Sequence, residues 1–396
     1  MRVGIDASCW LNRRGFGRYT RELVRAVLDA DIRNEYVLFL DAATAGNVDD
    51  LPAENRARRV IIPTSVAATQ AAAADGSRSL RDLWRMRRAV AEWGDRLDVF
   101  YFPADYTYFP ISTPARVVVT KHDMTDRRFP ELLFPDWKSK LFWDLKIGAA
   151  MKKSDMIFTV SETSRRDIVD AFNFRPDHVR VVADAVDPSF VPSLPGAERS
   201  EVLARYGVAE GDRFVLYVGG LSPHKNLETL ILAYERWRRS NPAESVSLVL
   251  VGDYTSDVFH SSFSALRELV SQNGLDSFVR FPGFVPDADL RHFYSAADAL
   301  VLPSFYEGFG LPVVEAMACG TAVIASNAGA LPEIVAEAGL LFDPNSPVEL
   351  CQCLSRVLGD QALRDDLVRR GLARAGDFTW ESSARVAISA FEELAR

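Results

Sequence analysis

The residues best suited to chemistry lie in the run Ser304 to Gly320, S-F-Y-E-G-F-G-L-P-V-V-E-A-M-A-C-G, directly after a short apolar stretch ending at Leu302. Gly308 and Gly310 suit a tight loop in which backbone amides approach a ligand closely, and Pro312 suits the first turn of a helix. A helix start offers unpaired N–H groups and the positive end of a dipole to an anion such as a diphosphate. Glu307 falls on the loop and Glu315 further into the helix, a placement that lets both carboxylates face one crevice. Carboxylates fit poorly against phosphate but accept hydrogen bonds from sugar hydroxyls well. The plainer alternative makes Glu307 a loop residue and Glu315 a solvated helix residue.

A second loop, Gly219 to Asn226 (G-G-L-S-P-H-K-N), also follows an apolar run. There Gly219 and Gly220 permit close backbone approach and Lys225 offers a point charge to a phosphate, unless it is simply an exposed lysine. His122 and Asp123 follow the run Val117 to Lys121. A neutral imidazole there can donate to a sugar hydroxyl or shuttle a proton, and Asp123 is a candidate to orient it. Gly15 and Gly17 open a predicted helix near the first strand and could meet phosphate or acceptor. With Asp41 they also imitate a dinucleotide fingerprint, but Thr20 occupies the third glycine position and the gap after the strand is long. The stretch Phe281 to Asp287 reads as a strand end, a turn and a helix start. Ser161 reads as a helix cap and Glu333 as a helix-start carboxylate. The pairs Asp29/Asp31 and Asp287/Asp289 fall at helix ends, where capping explains them, and Cys351 and Cys353 point apart on a helix, so no metal site is expected.

The elements that must position these groups read as short β-branched runs alternating with amphipathic stretches, the pattern of parallel strands covered by crossover helices. Expected strands are Val3–Ile5, Tyr36–Leu40, Val60–Ile62, Val99–Phe102, Val117–Thr120, Met156–Val160 and Val179–Val182. A second series comprises Phe214–Val218, Ser247–Val251, Val279–Phe281, Ala299–Leu302, Ala322–Ala325 and Leu340–Phe342. Between the series, Asp187 to Ser200 carries Pro188, Pro192, Pro195 and Gly196, a composition that spaces one domain from the next. Open parallel sheets bind ligands beyond the carboxyl ends of their strands, where the motifs fall. Ala67 to Ala74 reads as a loop or frayed helix.

The chain has 396 residues, 48% apolar and 25% charged, which suits a folded protein of two or three domains. Its net charge of −8 disfavours binding to nucleic acid by counterion release. The charge is uneven, because residues 1–190 carry 29 Lys/Arg and 27 Asp/Glu and the remainder is strongly acidic. Four cysteines, no leader and no long apolar run predict a cytoplasmic protein without a membrane span. Trp137, Phe142 and Trp143 interleave with Lys138, Lys140, Lys146, Lys152 and Lys153, while Arg78, Arg81, Arg85, Arg87 and Arg88 cluster on another predicted helix. Both stretches suit peripheral contact with an anionic membrane or a lipid-linked acceptor, or else form solvated faces.

Two glutamates seven residues apart within E-G-F-G-L-P-V-V-E-A-M-A-C-G-T resemble the signature of retaining glycosyltransferase family 4, mannosyltransferase-like members included. Further similarities run along the chain at Asp6-Ala7, Gly15 to Thr20, His122-Asp123, Val160 to Ser164, His224 to Leu227 and Ala330 to Glu333. The resemblance implies the GT-B fold. Its parts would be an acceptor-side Rossmann-like domain over 1–190, a linker over 191–200, a nucleotide-sugar-binding domain over 201–378 facing the first across a cleft, and a helix over 379–396 crossing back to the first domain. It implies that Glu307 contacts the donor sugar, that amides of Phe309, Gly310 and Leu311 hold sugar hydroxyls and phosphate, that Glu315 binds the ribose, that Phe284 and Val285 border the base, and that His122 lies beside donor and acceptor. Lys225 would stabilise the departing diphosphate. The family often places Arg where this chain has Gly220, which removes one cation from the expected clamp. The implied reaction is metal-independent transfer of a hexosyl group, with GDP-mannose favoured over UDP-hexoses, to a glycan or lipid-linked hydroxyl with retained configuration and no cofactor. A sugar-nucleotide epimerase, a phosphorylase, a non-catalytic nucleotide-sugar-binding protein and an NAD enzyme are the competing readings.

Overall fold

The structure, a computed structural model, describes residues 1–12, 15–64, 79–134, 136–253 and 262–396. The Ala-rich stretch and Arg78 therefore lie outside the described residues. The chain divides into one unit of Met1–Ala185 with Thr379–Arg396 and a second of Val186–Phe378.

In the first unit, strands β1 (Arg2–Asp6), β2 (Glu35–Asp41), β3 (Arg58–Ile62), β4 (Val99–Phe102), β5 (Arg116–Thr120), β6 (Met156–Thr159) and β7 (Val179–Val181) form one parallel sheet in the order β3-β2-β1-β4-β5-β6-β7. In the second, β8 (Arg213–Val218), β9 (Val246–Val251), β10 (Val279–Gly283), β11 (Ala299–Leu302), β12 (Val323–Ser326) and β13 (Gly339–Phe342) form another in the order β10-β9-β8-β11-β12-β13. Each expected strand is present, Val99–Phe102 and Ala299–Leu302 with the expected bounds and the others within two residues of them at either end. Central strands such as Val99–Phe102 and Ala299–Leu302 are buried throughout, which explains their continuous rather than alternating apolar character. Both sheets reverse their winding direction once, between β1 and β4 and between β8 and β11, and such switch points open crevices beyond the strand ends. Two such Rossmann-like units in one chain match the two doubly wound domains expected from the sequence.

The helix Trp380–Leu394 completes the first unit. Its stripe of Trp380, Ala384, Ala387, Ile388 and Phe391 is buried, at the three- and four-residue spacing of a helix with one apolar side. Phe391 meets Tyr101 of β4 and Phe158 of β6 with ring centroids 5.4 and 5.6 Å away. Ser383 donates to the Ala183 carbonyl at 2.7 Å. The Pro-rich stretch expected to be a spacer belongs to the second unit. Ser193 N donates to Ser295 Oγ at 2.9 Å, Ser193 Oγ lies 2.7 Å from His292 Nδ1, and residues Ala197–Arg205 form a helix. Proline there shapes an extended, packed segment.

Candidate functional site

The two loops singled out in the second unit follow β8 and β11, neighbouring strands at that unit's switch point. After β8, Tyr217 donates to the Gly220 carbonyl at 2.6 Å and fixes the glycine pair. The loop then makes one tight turn, Pro223–Lys225, and reaches Asn226 in a left-handed conformation. Asn226 is buried, and its Nδ2 donates to the carbonyls of Pro303 at 3.0 Å and Pro344 at 2.7 Å. Phe305 N donates to the His224 carbonyl at 3.0 Å. The β8 loop is thus pinned to the β11 loop on both sides of Lys225.

Lys225 Nζ donates to Glu307 Oε1 at 2.8 Å, and Ser304 Oγ donates to the same oxygen at 2.6 Å. Lys225 is not the exposed lysine of the plainer alternative but half of an ion pair, with side chains only 21% and 14% exposed. The Glu307 backbone is clamped as well. Ala330 N donates to its carbonyl at 2.9 Å, and a Cβ on Gly329, whose φ is +58°, would fall 2.6 Å from Glu307 N and O. No other residue fits there without shifting Glu307.

Gly310, with φ +95°, leads into the helix Leu311–Ala318, whose first turn carries Pro312. The first backbone donor inside this turn is Val313, bonded to the Gly310 carbonyl at 2.9 Å, so the amides at Phe309–Leu311 precede the intrahelical ladder. Phe309 is buried edge-on against Phe378, with ring centroids 5.3 Å apart, which fixes the loop end after Gly308. Glu315 is 3% exposed and accepts a 2.7 Å hydrogen bond from Tyr294 Oη. It is neither solvated nor a simple partner of Glu307: the structure ties the two carboxylates to different groups, one to Lys225 and Ser304, the other to Tyr294.

Phe284 is exposed, whereas the Val285 side chain is buried, so only backbone of Val285 can border a ligand. A Cβ on Gly220 would meet only Ser222 Oγ at 3.5 Å, ordinary contact, so sterics do not explain why arginine is missing. Sequence reasoning overlooked Ser304, Tyr294 and Asn226. Ser304 could have been found three residues ahead of Glu307, but Tyr294 sits in a helix whose pattern reads as core.

In the first unit, His122 is half-buried beyond β5, its ring edge-on to Tyr19 at 4.7 Å between centroids. Burial holds its pKa below the ordinary imidazole value, against the opposing pull of Asp105 and Asp123. The neutral ring with its proton on Nε2 donates to the Pro103 carbonyl at 3.2 Å and presents Nδ1 as an acceptor. Its proton is therefore committed to backbone rather than available to a sugar hydroxyl. Asp123 does not orient it: Asp123 Oδ1 accepts from Thr125 N at 2.8 Å, two residues on. Gly17 is buried where a Cβ would come 2.0 Å from the Asn12 carbonyl oxygen, a packing requirement, while Gly15 is exposed in open space.

Beside His122 lies an unexpected cluster. Lys121 is buried with its Nζ 3.1 Å from Asp105 Oδ2 and 3.2 Å from both oxygens of Asp126, and Trp143 Nε1 donates to Asp126 Oδ2 at 2.8 Å. Burial alone would lower the ammonium pKa, but the two carboxylates outweigh it and hold the group charged above its usual range. Trp143 consequently faces inward, unlike Trp137 and Phe142.

Residues 13–190 match the model of Glycosyltransferase Family 4, and residues 198–374 match that of Glycosyl transferases group 1. O-antigen chain mannosyltransferase B of Escherichia coli is 32% identical over 394 residues, covering 96% of each chain. The chain belongs to glycosyltransferase family 4. Among solved structures, sucrose-phosphate synthase from Thermosynechococcus elongatus aligns over 100% of this chain and 99% of its own with a TM-score of 0.76 at 20% identity. Anabaena Alr3699/HepE, solved with UDP and glucose, aligns over 99% of both chains with a TM-score of 0.72 at 21% identity. These likenesses carry the fold, and the family carries glycosyl transfer. Within this family 4 chain, the loop holding Glu307 and the loop holding Lys225 both fall inside the group 1 match.

Proposed function

We propose that this family 4 enzyme moves a hexosyl group, by preference mannosyl, from a nucleoside diphosphate sugar to a hydroxyl of a glycan or lipid-linked acceptor, with retained anomeric configuration and without a metal. The mannosyltransferase relative and the UDP-bound neighbour support a mannosyl lean and a nucleotide donor respectively. The observation that carries the reading is the Lys225–Glu307–Ser304 group at the ends of β8 and β11. On donor binding, Lys225 Nζ swings from the carboxylate to the diphosphate, and sugar hydroxyls take its place as donors to Glu307. Ser304 keeps donating to Glu307 throughout, so the carboxylate stays fixed. As the bond between the anomeric carbon and the phosphate oxygen breaks, negative charge gathers on the diphosphate, where Lys225 and the amides near Leu311 meet it. Lys225 supplies the counter-charge that a divalent cation gives elsewhere. Glu315, braced by Tyr294, receives the ribose hydroxyls, Phe284 borders the base, and His122 accepts from a hydroxyl through Nδ1. No covalent nucleophile is assigned.

A thermal-shift panel of GDP-mannose, UDP-glucose and related donors, followed by proton NMR of the product's anomeric centre, tests this. At a donor concentration of ~100 Kd the gain is about 2.7 kcal/mol, a shift of a few degrees. GDP-mannose should stabilise most and yield an α-linked product. An inverted product, or a panel in which no sugar nucleotide stabilises the protein, would overturn the reading.

A further inference from the structure

The helix Trp137–Lys153 is apolar on two sides. Its inward side buries Trp143, Ile147, Ala150 and Met151, which accounts for its packing on the sheet. Its outward side carries Trp137, Leu141, Phe142 and Leu145, with Trp137 70% and Phe142 and Leu145 each 65% exposed. Surface helices ordinarily bear one apolar stripe and a polar remainder, and clustered exposed apolar side chains mark an interaction surface. Lys138, Lys152 and Lys153 are exposed among these side chains. The helix's single acid, Asp144, lies at the edge of this side and is paired with Lys140 at 2.5 Å.

The helix Leu80–Ala91 repeats the arrangement. It buries Met86 and Val90, and it exposes Trp84 beside Arg81 and Arg87, while its acid, Asp82, is buried. The crossovers from β3 to β4 and from β5 to β6 run in the same direction along the sheet, so right-handed connections put both helices on one sheet face.

We propose that this face of the first unit docks on an anionic lipid bilayer. Tryptophan, phenylalanine and leucine enter the headgroup region, and the surrounding lysines and arginines meet lipid phosphates. The charge argues for this occupant. The chain carries −8 overall, yet both outward helix sides bear basic residues with no unpaired acid among them, complementary to an anionic sheet of headgroups.

Sedimentation of the full chain with vesicles of phosphatidylethanolamine and phosphatidylglycerol, against vesicles of phosphatidylcholine alone, tests the proposal at low and high salt. Binding should favour the anionic vesicles, weaken with salt and shift tryptophan emission to the blue. The combined variant W137S/F142S/L145S should lose at least ~10-fold in partitioning with its melting temperature kept. The combined variant K138Q/K152Q/K153Q should lose roughly fivefold per lysine. Should the first variant misfold, W84S alone on the other helix must also weaken partitioning. Equal partitioning of wild type and these variants, equal binding to neutral vesicles, or a wild type that stays in solution and self-associates through this face overturns the proposal.

Discussion

Lys225 and Glu307 neutralise each other across 2.8 Å, and the proposed chemistry asks them to part when a diphosphate arrives. Glu307→Gln keeps the shape and the Ser304 contact but removes the charge, so kcat/KM should fall by roughly 10²–10³ while the melting temperature moves little. Steady-state kinetics beside a melting curve would check this, and a variant equally impaired in both would indicate a structural role. Gly220→Arg restores a cation where a Cβ is tolerated, and it should tighten nucleoside diphosphate binding by about 10-fold, the scale of one charge-assisted hydrogen bond. Unchanged affinity on titration would show that Lys225 alone holds the phosphates. His122 gives a pH prediction. Its folded pKa lies below the ordinary 6.5, so the unfolded chain takes up the proton first. That contribution is fully present above the unfolded value and is lost as pH falls from about 6.5 through the folded value, so denaturant melts at neutral pH and about pH 5 should differ less for His122→Gln than for wild type. His292, also depressed by burial, keeps part of the slope in that variant. That the Gly219–Asn226 and Ser304–Gly310 segments, with Lys225 and Glu307, would fall on loops after strands was legible because turn residues bounding an apolar run are a local signal. Tyr294 was not, because its hydroxyl finds Glu315 only once two helices pack.

At the scale of elements, strands were read well because buried parallel strands are continuous apolar runs bounded by turn residues, a signal that needs no tertiary knowledge. Lys121 shows where such reading stops. Nothing in the run Val117 to Lys121 marks its last residue as buried, yet in the fold Asp105 and Asp126 close over it. Lys121→Met would leave two buried carboxylates facing each other and should cost about 3–5 kcal/mol, and restoring neutrality with Asp105→Asn and Asp126→Asn should recover part of it. Chemical denaturation of the two variants decides the matter, and a single variant as stable as wild type would contradict it. The Pro-rich stretch after Ala185 misled for a related reason. Composition marks extended backbone but does not say whether Ser193 finds a partner, and here it finds Ser295 and His292.

At the scale of the whole molecule, the second unit is one continuous segment with its own sheet and site, whereas the first needs the far end of the chain. A chain ending at Phe378 should lose the Phe391 contacts with Tyr101 and Phe158, worth about 3–5 kcal/mol for that side chain alone, and unfold in two steps with the first unit melting early. Differential scanning calorimetry would show it, and a single unshifted transition would refute it. The return of the last helix was readable only through family resemblance, since nothing local in Trp380 to Arg396 says which sheet its apolar stripe will cover. The central claim concerns the second unit's grip on a diphosphate, and calorimetric titration of GDP and UDP into wild type and Lys225→Ala measures it most directly. Loss of that ion contact should weaken the preferred nucleotide by roughly 10–100-fold, whereas equal affinity in the two proteins would contradict the account.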